Sequence, residues 1–153
     1  MRIRVTVLTL LGLASLIALA QPPGRVEGTI DQLIARAESA PLGERPGLYL
    51  QIAKQQAESA DKSYEAGNSE AGNAAMNDVV TYSGKASDAA VQSGKKLKDT
   101  EIAIRKMAKQ FRDIKHNLPF DDQAPVQQAI DRLERMRTDL LSAMFGKKDR
   151  KEK

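Results

Sequence analysis

The chain has 153 residues, is 41% hydrophobic, 29% charged and only 4% aromatic, and carries a formal net charge of +4, a profile of one globular domain with a helical bias. It holds no Cys and one His, which excludes a disulfide framework, a thiol nucleophile, an iron–sulfur cluster, a cysteine-based zinc site and a multi-histidine metal centre. No cofactor, no metal ion and no catalytic activity are expected of what remains.

Residues 1–20 read as a signal peptide. Arg2 and Arg4 form a short positive region, Val5 to Leu19 is an almost unbroken apolar run, and Ala18-Leu19-Ala20 gives the small-x-small pattern that precedes cleavage. The run is shorter than the roughly 20 apolar residues that span a bilayer, and Pro22-Pro23-Gly24 opposes any helix directly behind it. Cleavage after Ala20, export to the periplasm or medium, and no stable transmembrane anchor afterwards are therefore expected. The remaining chain is electrically two-ended: residues 21–94 hold 6 Lys/Arg against 10 Asp/Glu, whereas residues 95–153 hold 16 against 10.

Residues 21–28 are rich in Pro and Gly and read as a flexible lead-in to a helical domain over 29–145. Thr29 and Gln32 have the spacing of a capping box, and Ile30, Leu33, Ile34 and Ala37 make one apolar stripe on the helix that follows. Pro41 ends it, and Pro46 suits the first position of a second helix running to about Ala66, with Leu48, Ile52, Ala53, Ala57, Ala60 and Tyr64 inward. Gly67 is placed to close that helix in the left-handed region, with Asn68 or Ser69 capping the next.

From position 72 a strict seven-residue rhythm reads Gly72, Met76, Val79, Ser83, Ala86, Ala90, Ser93, Leu97, Thr100, Ile104, Met107, Phe111, Ile114 and Leu118. Unbroken, this is one coiled-coil-like helix of roughly 75 Å ending at Pro119. A last helix over about Asp122 to Phe145 places Val126, Ile130, Leu133, Met136, Leu140, Leu141 and Met144 inward. Gly146 ends it before a basic tail, and residues 146–153 are expected to be disordered. The predicted fold is all-α: an elongated antiparallel helical bundle of three to four helices around one long central helix. A break at Gly84 or Gly94, folding the long helix back into a compact four-helix bundle, is the competing arrangement.

Ala60, Tyr64, Gly67, Gly72, Met76 and Val79 stand where a tetratricopeptide helical pair places its packing, aromatic and turn residues. The hairpin from about Pro46 to Gly84 resembles one such pair, with no second copy in the sequence. The resemblance implies local helix packing and an interaction role, because one hairpin does not build the peptide-binding groove of that family.

The candidate chemistry is sparse. His116 falls on an outward position near a helix end, where a solvated residue is the plain reading. Asp121 and Asp122 suit helix capping better than paired acid–base work. Glu58, Asp61 and Glu65 share a helix face that reads as a solvated acidic surface rather than a cation site.

The basic set Lys95, Lys98, Arg105, Lys106, Lys109 and Arg112 falls on the outward side of the heptad, joined by Arg132, Arg135 and Arg137 from the last helix. Such a stripe can hold anionic lipid, polysaccharide or nucleic acid. Nucleic acid is not expected as a partner, given the export signal and the scarcity of aromatics to stack on bases. Leu97, Ile104, Met107, Phe111, Ile114 and Leu118 form the bulky half of the seam. The sequence thus predicts an exported, non-catalytic interaction or structural protein of the cell envelope, with a protein partner or self-association, and as the alternative an envelope module that uses its basic face.

Overall fold

The computed structural model describes residues 29–146, and within them all regular structure is helical. The expected signal peptide, the lead-in and the tail from 147 onward lie outside the described residues. The helices are α1 (Ile30–Ser39), α2 (Arg45–Glu65), α3 (Ser69–Ser93), α4 (Leu97–Asn117) and α5 (Gln123–Phe145), with one 3-10 turn at Phe120–Asp122 before α5.

Local chemistry sets the boundaries. The Thr29 hydroxyl accepts from the Gln32 amide at 3.4 Å while the Gln32 side chain accepts from the Thr29 amide at 3.2 Å, closing the capping box of α1. The turn after α1 is held by the Glu44 amide donating to the Pro41 carbonyl at 2.9 Å. Gly67 has φ 73°, and the Asn68 side chain accepts from the Ala71 amide at 3.0 Å to open α3. Pro125 lies in the first turn of α5, where no intrahelical bond is lost.

The long central helix expected from the heptad is not continuous. It stops at Ser93, and the chain reverses through Gly94 (φ 66°) and Lys96 (φ 58°), both left-handed, before α4 starts at Leu97. The Ser93 hydroxyl donates to the Ala89 carbonyl at 2.6 Å and accepts from the Lys95 amide at 3.2 Å, which fastens the reversal. Burial is the physical reason. A straight helix would bury each half of its seam against one partner only. Folding back packs α4 and α5 onto α2 and α3, so that Met76, Val79, Ala86 and Ala90 share one core with Ile104, Met107, Phe111 and Ile114. Gly84, the other candidate break, stays inside α3, and the Met136 methyl of α5 comes within 3.5 Å of where its β-carbon would sit.

The architecture is therefore a bundle of two antiparallel hairpins, α2/α3 and α4/α5, with α1 laid on α2. Across the hairpins α2 neighbours α4 and α3 neighbours α5, each pair running in the same direction. Two ends result. At the lower end the α1–α2 turn meets the α3–α4 linker, with the Lys95 stem against Gly43. At the upper end the Ser69 hydroxyl donates to Asp122 at 3.0 Å, tying the start of α3 to the α4–α5 turn.

Phe111, Ile52, Met76, Ile104, Leu133, Leu140, Val79 and Val126 are the largest fully buried apolar side chains, each contributing roughly 1.5–3 kcal/mol by burial. Near the upper end the Tyr64 ring crosses Gly72 so closely that a β-carbon there would stand 2.8 Å from the ring, which explains a glycine inside α3. The Tyr64 hydroxyl donates to Asn73 Oδ1 at 2.6 Å. Burial first, and the Asp122 carboxylate second, push the Tyr64 phenol up to about 12.

Candidate functional site

The parallel pair α2 and α4 touches less extensively than either hairpin, and an open groove runs between them. Its lower part, about 340 Å³, has Ala57, Ile102, Ala103 and Met107 as floor, with Lys54 and Glu58 of α2 facing Asp99 and Lys106 of α4. Its upper part, about 420 Å³, is floored by Tyr64, Ile114 and Leu118, with Asp61 and Glu65 facing Asp113 and Asn117. Gln110 borders both parts and donates to the Ala57 carbonyl at 3.5 Å, the bridge that joins the two walls. The local reason is helical spacing: Lys54, Glu58, Asp61 and Glu65 recur at steps of three and four and so line one edge of α2.

The residues singled out in the sequence are distributed as follows. In the bulky half of the seam, Ile104, Met107, Phe111 and Ile114 are buried in the chain's own core, while Leu97 and Leu118 are half-buried against it. Of the basic set, Lys95 lies in the linker rather than on a helix, and Lys98, Arg105, Lys106, Lys109 and Arg112 are exposed on α4. They do not form one open cationic surface. Arg105 pairs with Glu101 at 3.5 Å, Lys109 with Asp113 at 2.8 Å and Arg112 with Glu134 at 2.9 Å, and Lys106 turns toward the groove. Glu58, Asp61 and Glu65 all line the groove. Among the described residues no group of three or more His, Asp or Glu side chains is arranged to hold a metal ion.

His116 is exposed, Asp122 is engaged by Ser69, and the hollow beside Asp121 is lined by Lys115, Phe120, Gln123, Ala124 and Gln127 without either of them. The three therefore do not converge on one cavity. Sequence reasoning missed the groove. Its one available mark was Ile102, an apolar residue off the heptad on an otherwise charged face of α4.

On the opposite flank of α4 a charged network joins it to α5. Glu101, only 7% exposed, accepts from Arg137 Nε at 2.7 Å, and Glu134 accepts from Arg112 Nη1 at 2.9 Å and from Arg137 Nη1 at 3.4 Å. The hydrogen bond from Arg112 and, against some burial, that from Arg137 hold the Glu134 carboxyl below the usual glutamate range. Because the folded value is lowered, the stabilisation is present above the unfolded glutamate value of about 4.3 and is lost as pH falls through the folded one. With a side chain 34% exposed to solvent, the effect is screened to at most about 1 kcal/mol. Glu134→Gln is expected to lower stability by that amount at neutral pH and by almost nothing near pH 2, as read by urea unfolding at the two pH values.

Comparison of the chain with protein-family models, with curated proteins and with solved structures gives no match.

Proposed function

We propose that the protein is a non-catalytic interaction module that receives a peptide segment of a partner protein in the groove between α2 and α4. One observation carries this reading: the groove has an apolar floor in both its lower and its upper part and charged side chains along both rims, the distribution of a recognition surface in which burial gives affinity and rim charge gives specificity. The second hairpin also supports it. A tetratricopeptide-like pair alone builds no groove, and here α4/α5 stands beside α2/α3 and supplies the opposite wall.

The Arg2/Arg4 and Val5–Leu19 pattern, with Ala18-Leu19-Ala20 behind it, supports export to the cell envelope as the place of action. The basic face is the weaker candidate for binding an anionic polymer, because Arg105, Lys109 and Arg112 already face carboxylates. Self-association along the heptad seam is weaker still, since Ile104, Met107, Phe111 and Ile114 are inside the chain's own core.

One preparation tests both parts. Protein recovered from the envelope fraction is expected to begin at Gln21 and, immobilised, to enrich clones from a random-peptide display library. Those clones should bind Ile102→Asn at least roughly tenfold more weakly, since the substitution puts an unpartnered amide into the floor. A retained residue 1–20 segment would overturn cleavage, and recovery from the cytoplasmic fraction alone would overturn export. No enrichment, or clones indifferent to Ile102→Asn, would overturn the groove.

A further inference from the structure

We infer that the groove selects a cationic segment studded with apolar residues, a lysine or arginine of which seats in the upper hollow; this rests on the groove being the binding surface. The charge lining it is lopsided. Five carboxylates, Glu58, Asp61, Glu65, Asp99 and Asp113, face it against two ammonium groups, Lys54 and Lys106, and both of these stand in the lower part. In the upper part Asp113 is shared with Lys109 at 2.8 Å, whereas Asp61 and Glu65 have no ion pair among the described residues.

A second source of negative potential adds to these side chains. The parallel helices α2 and α4 both end at this end of the groove, at Glu65 and Asn117, and their negative poles border the hollow, whereas α3 and α5, whose opposing positive poles lie at the same end, contribute no residue to its lining. The floor matches the other half of the same ligand. Tyr64, Ile114 and Leu118 offer apolar surface for the methylene stem of a lysine or arginine, while the carboxylates stand where its charged head emerges. A hollow of about 420 Å³ is ample for one such side chain, and the α4 wall from Asp99 to Leu118 has room for an extended stretch of roughly eight residues. An acidic segment of the same shape would meet like charge over the upper half, which is the discriminating element.

The test is a fluorescence-anisotropy titration of the whole protein with three labelled decapeptides, alternating Leu-Lys, Leu-Ser and Leu-Glu, in low and in physiological salt. Leu-Lys is expected to bind at least roughly tenfold tighter than Leu-Ser, with Leu-Glu weakest and with the preference shrinking as salt rises. The double variant Asp61→Lys, Glu65→Lys should reverse the order, whereas Asp88→Lys on α3, away from the groove, should leave it unchanged. Equal binding of all three peptides, lost in Ile102→Asn, would overturn the charge selection and leave the groove standing. Leu-Lys binding that ignores both the double variant and Ile102→Asn, or no binding by any of the three, would overturn both.

Discussion

Phe111→Ala is expected to lower the unfolding free energy by about 3–5 kcal/mol, the usual range for deleting a fully buried phenylalanine. Phe111 has no exposed surface and sits on α4 between Met107 and Ile114, in the core that α4 and α5 share with α2 and α3. The loss combines the transfer free energy of the ring with the cavity left where helices from both hairpins cannot all collapse inward. Against a total stability of about 5–15 kcal/mol this is a large fraction, equivalent to a fall in Tm on the order of 10–20 °C for a domain of this size. The counterpart is Phe120→Ala. Phe120 is 86% exposed on the turn before α5, and its removal is expected to stay within about 0.5 kcal/mol. Thermal and urea unfolding followed by circular dichroism read both. Two phenylalanines nine residues apart with equal effects would contradict the fold-back of α4 onto the first hairpin.

The same contrast shows what was legible beforehand. Every seam residue between Met76 and Ile114 except Ser93 and Leu97 is buried, so the seven-residue rhythm identified the inward faces of α3 and α4. What it did not reveal was the path of the backbone. Ser93 and Leu97 are consecutive seam positions four residues apart, so Gly94, Lys95 and Lys96 all fall outside the seam, and the chain can reverse there without exposing a single core side chain. Periodicity reports which side of a helix is covered, not whether two covered stretches belong to one helix.

The groove was hidden for a related reason. It depends on which helices become neighbours, and α2 and α4 are separated by the whole of α3. Glu58, Asp61 and Glu65 read correctly as one face of one helix, but the opposing Asp99, Lys106 and Asp113 become their partners only after the fold-back. The pairing of the basic stripe was legible only in part. Its positions on α4 and the i,i+4 pairs of Arg105 with Glu101 and Lys109 with Asp113 follow from helical spacing, whereas Glu134, which faces Arg112, lies 22 residues further along the chain, where no such rule reaches.

Gly94→Ala is expected to shift the balance between the folded-back chain and one with α3 and α4 joined by about 2–3 kcal/mol, a factor of roughly 30 to 150. Two contributions add. Alanine at φ 66° costs about 1–2 kcal/mol in the closed form, and in a continuous helix it is about 1 kcal/mol better than glycine. Lys96 already carries the same left-handed penalty at φ 58°, so the linker has little conformational slack. In the opened chain the α4/α5 hairpin still needs the apolar faces of α2 and α3, and a second chain provides them, so the opened form is an exchanged dimer. Light scattering after size exclusion, over a range of concentrations, should therefore show dimer in Gly94→Ala well before the parent chain. Gly94→Asn, which tolerates the left-handed region, should fall between the two. Identical mass profiles for all three chains would mean that the reversal is fixed by the packing of the two hairpins and not by the conformational preference of its glycine.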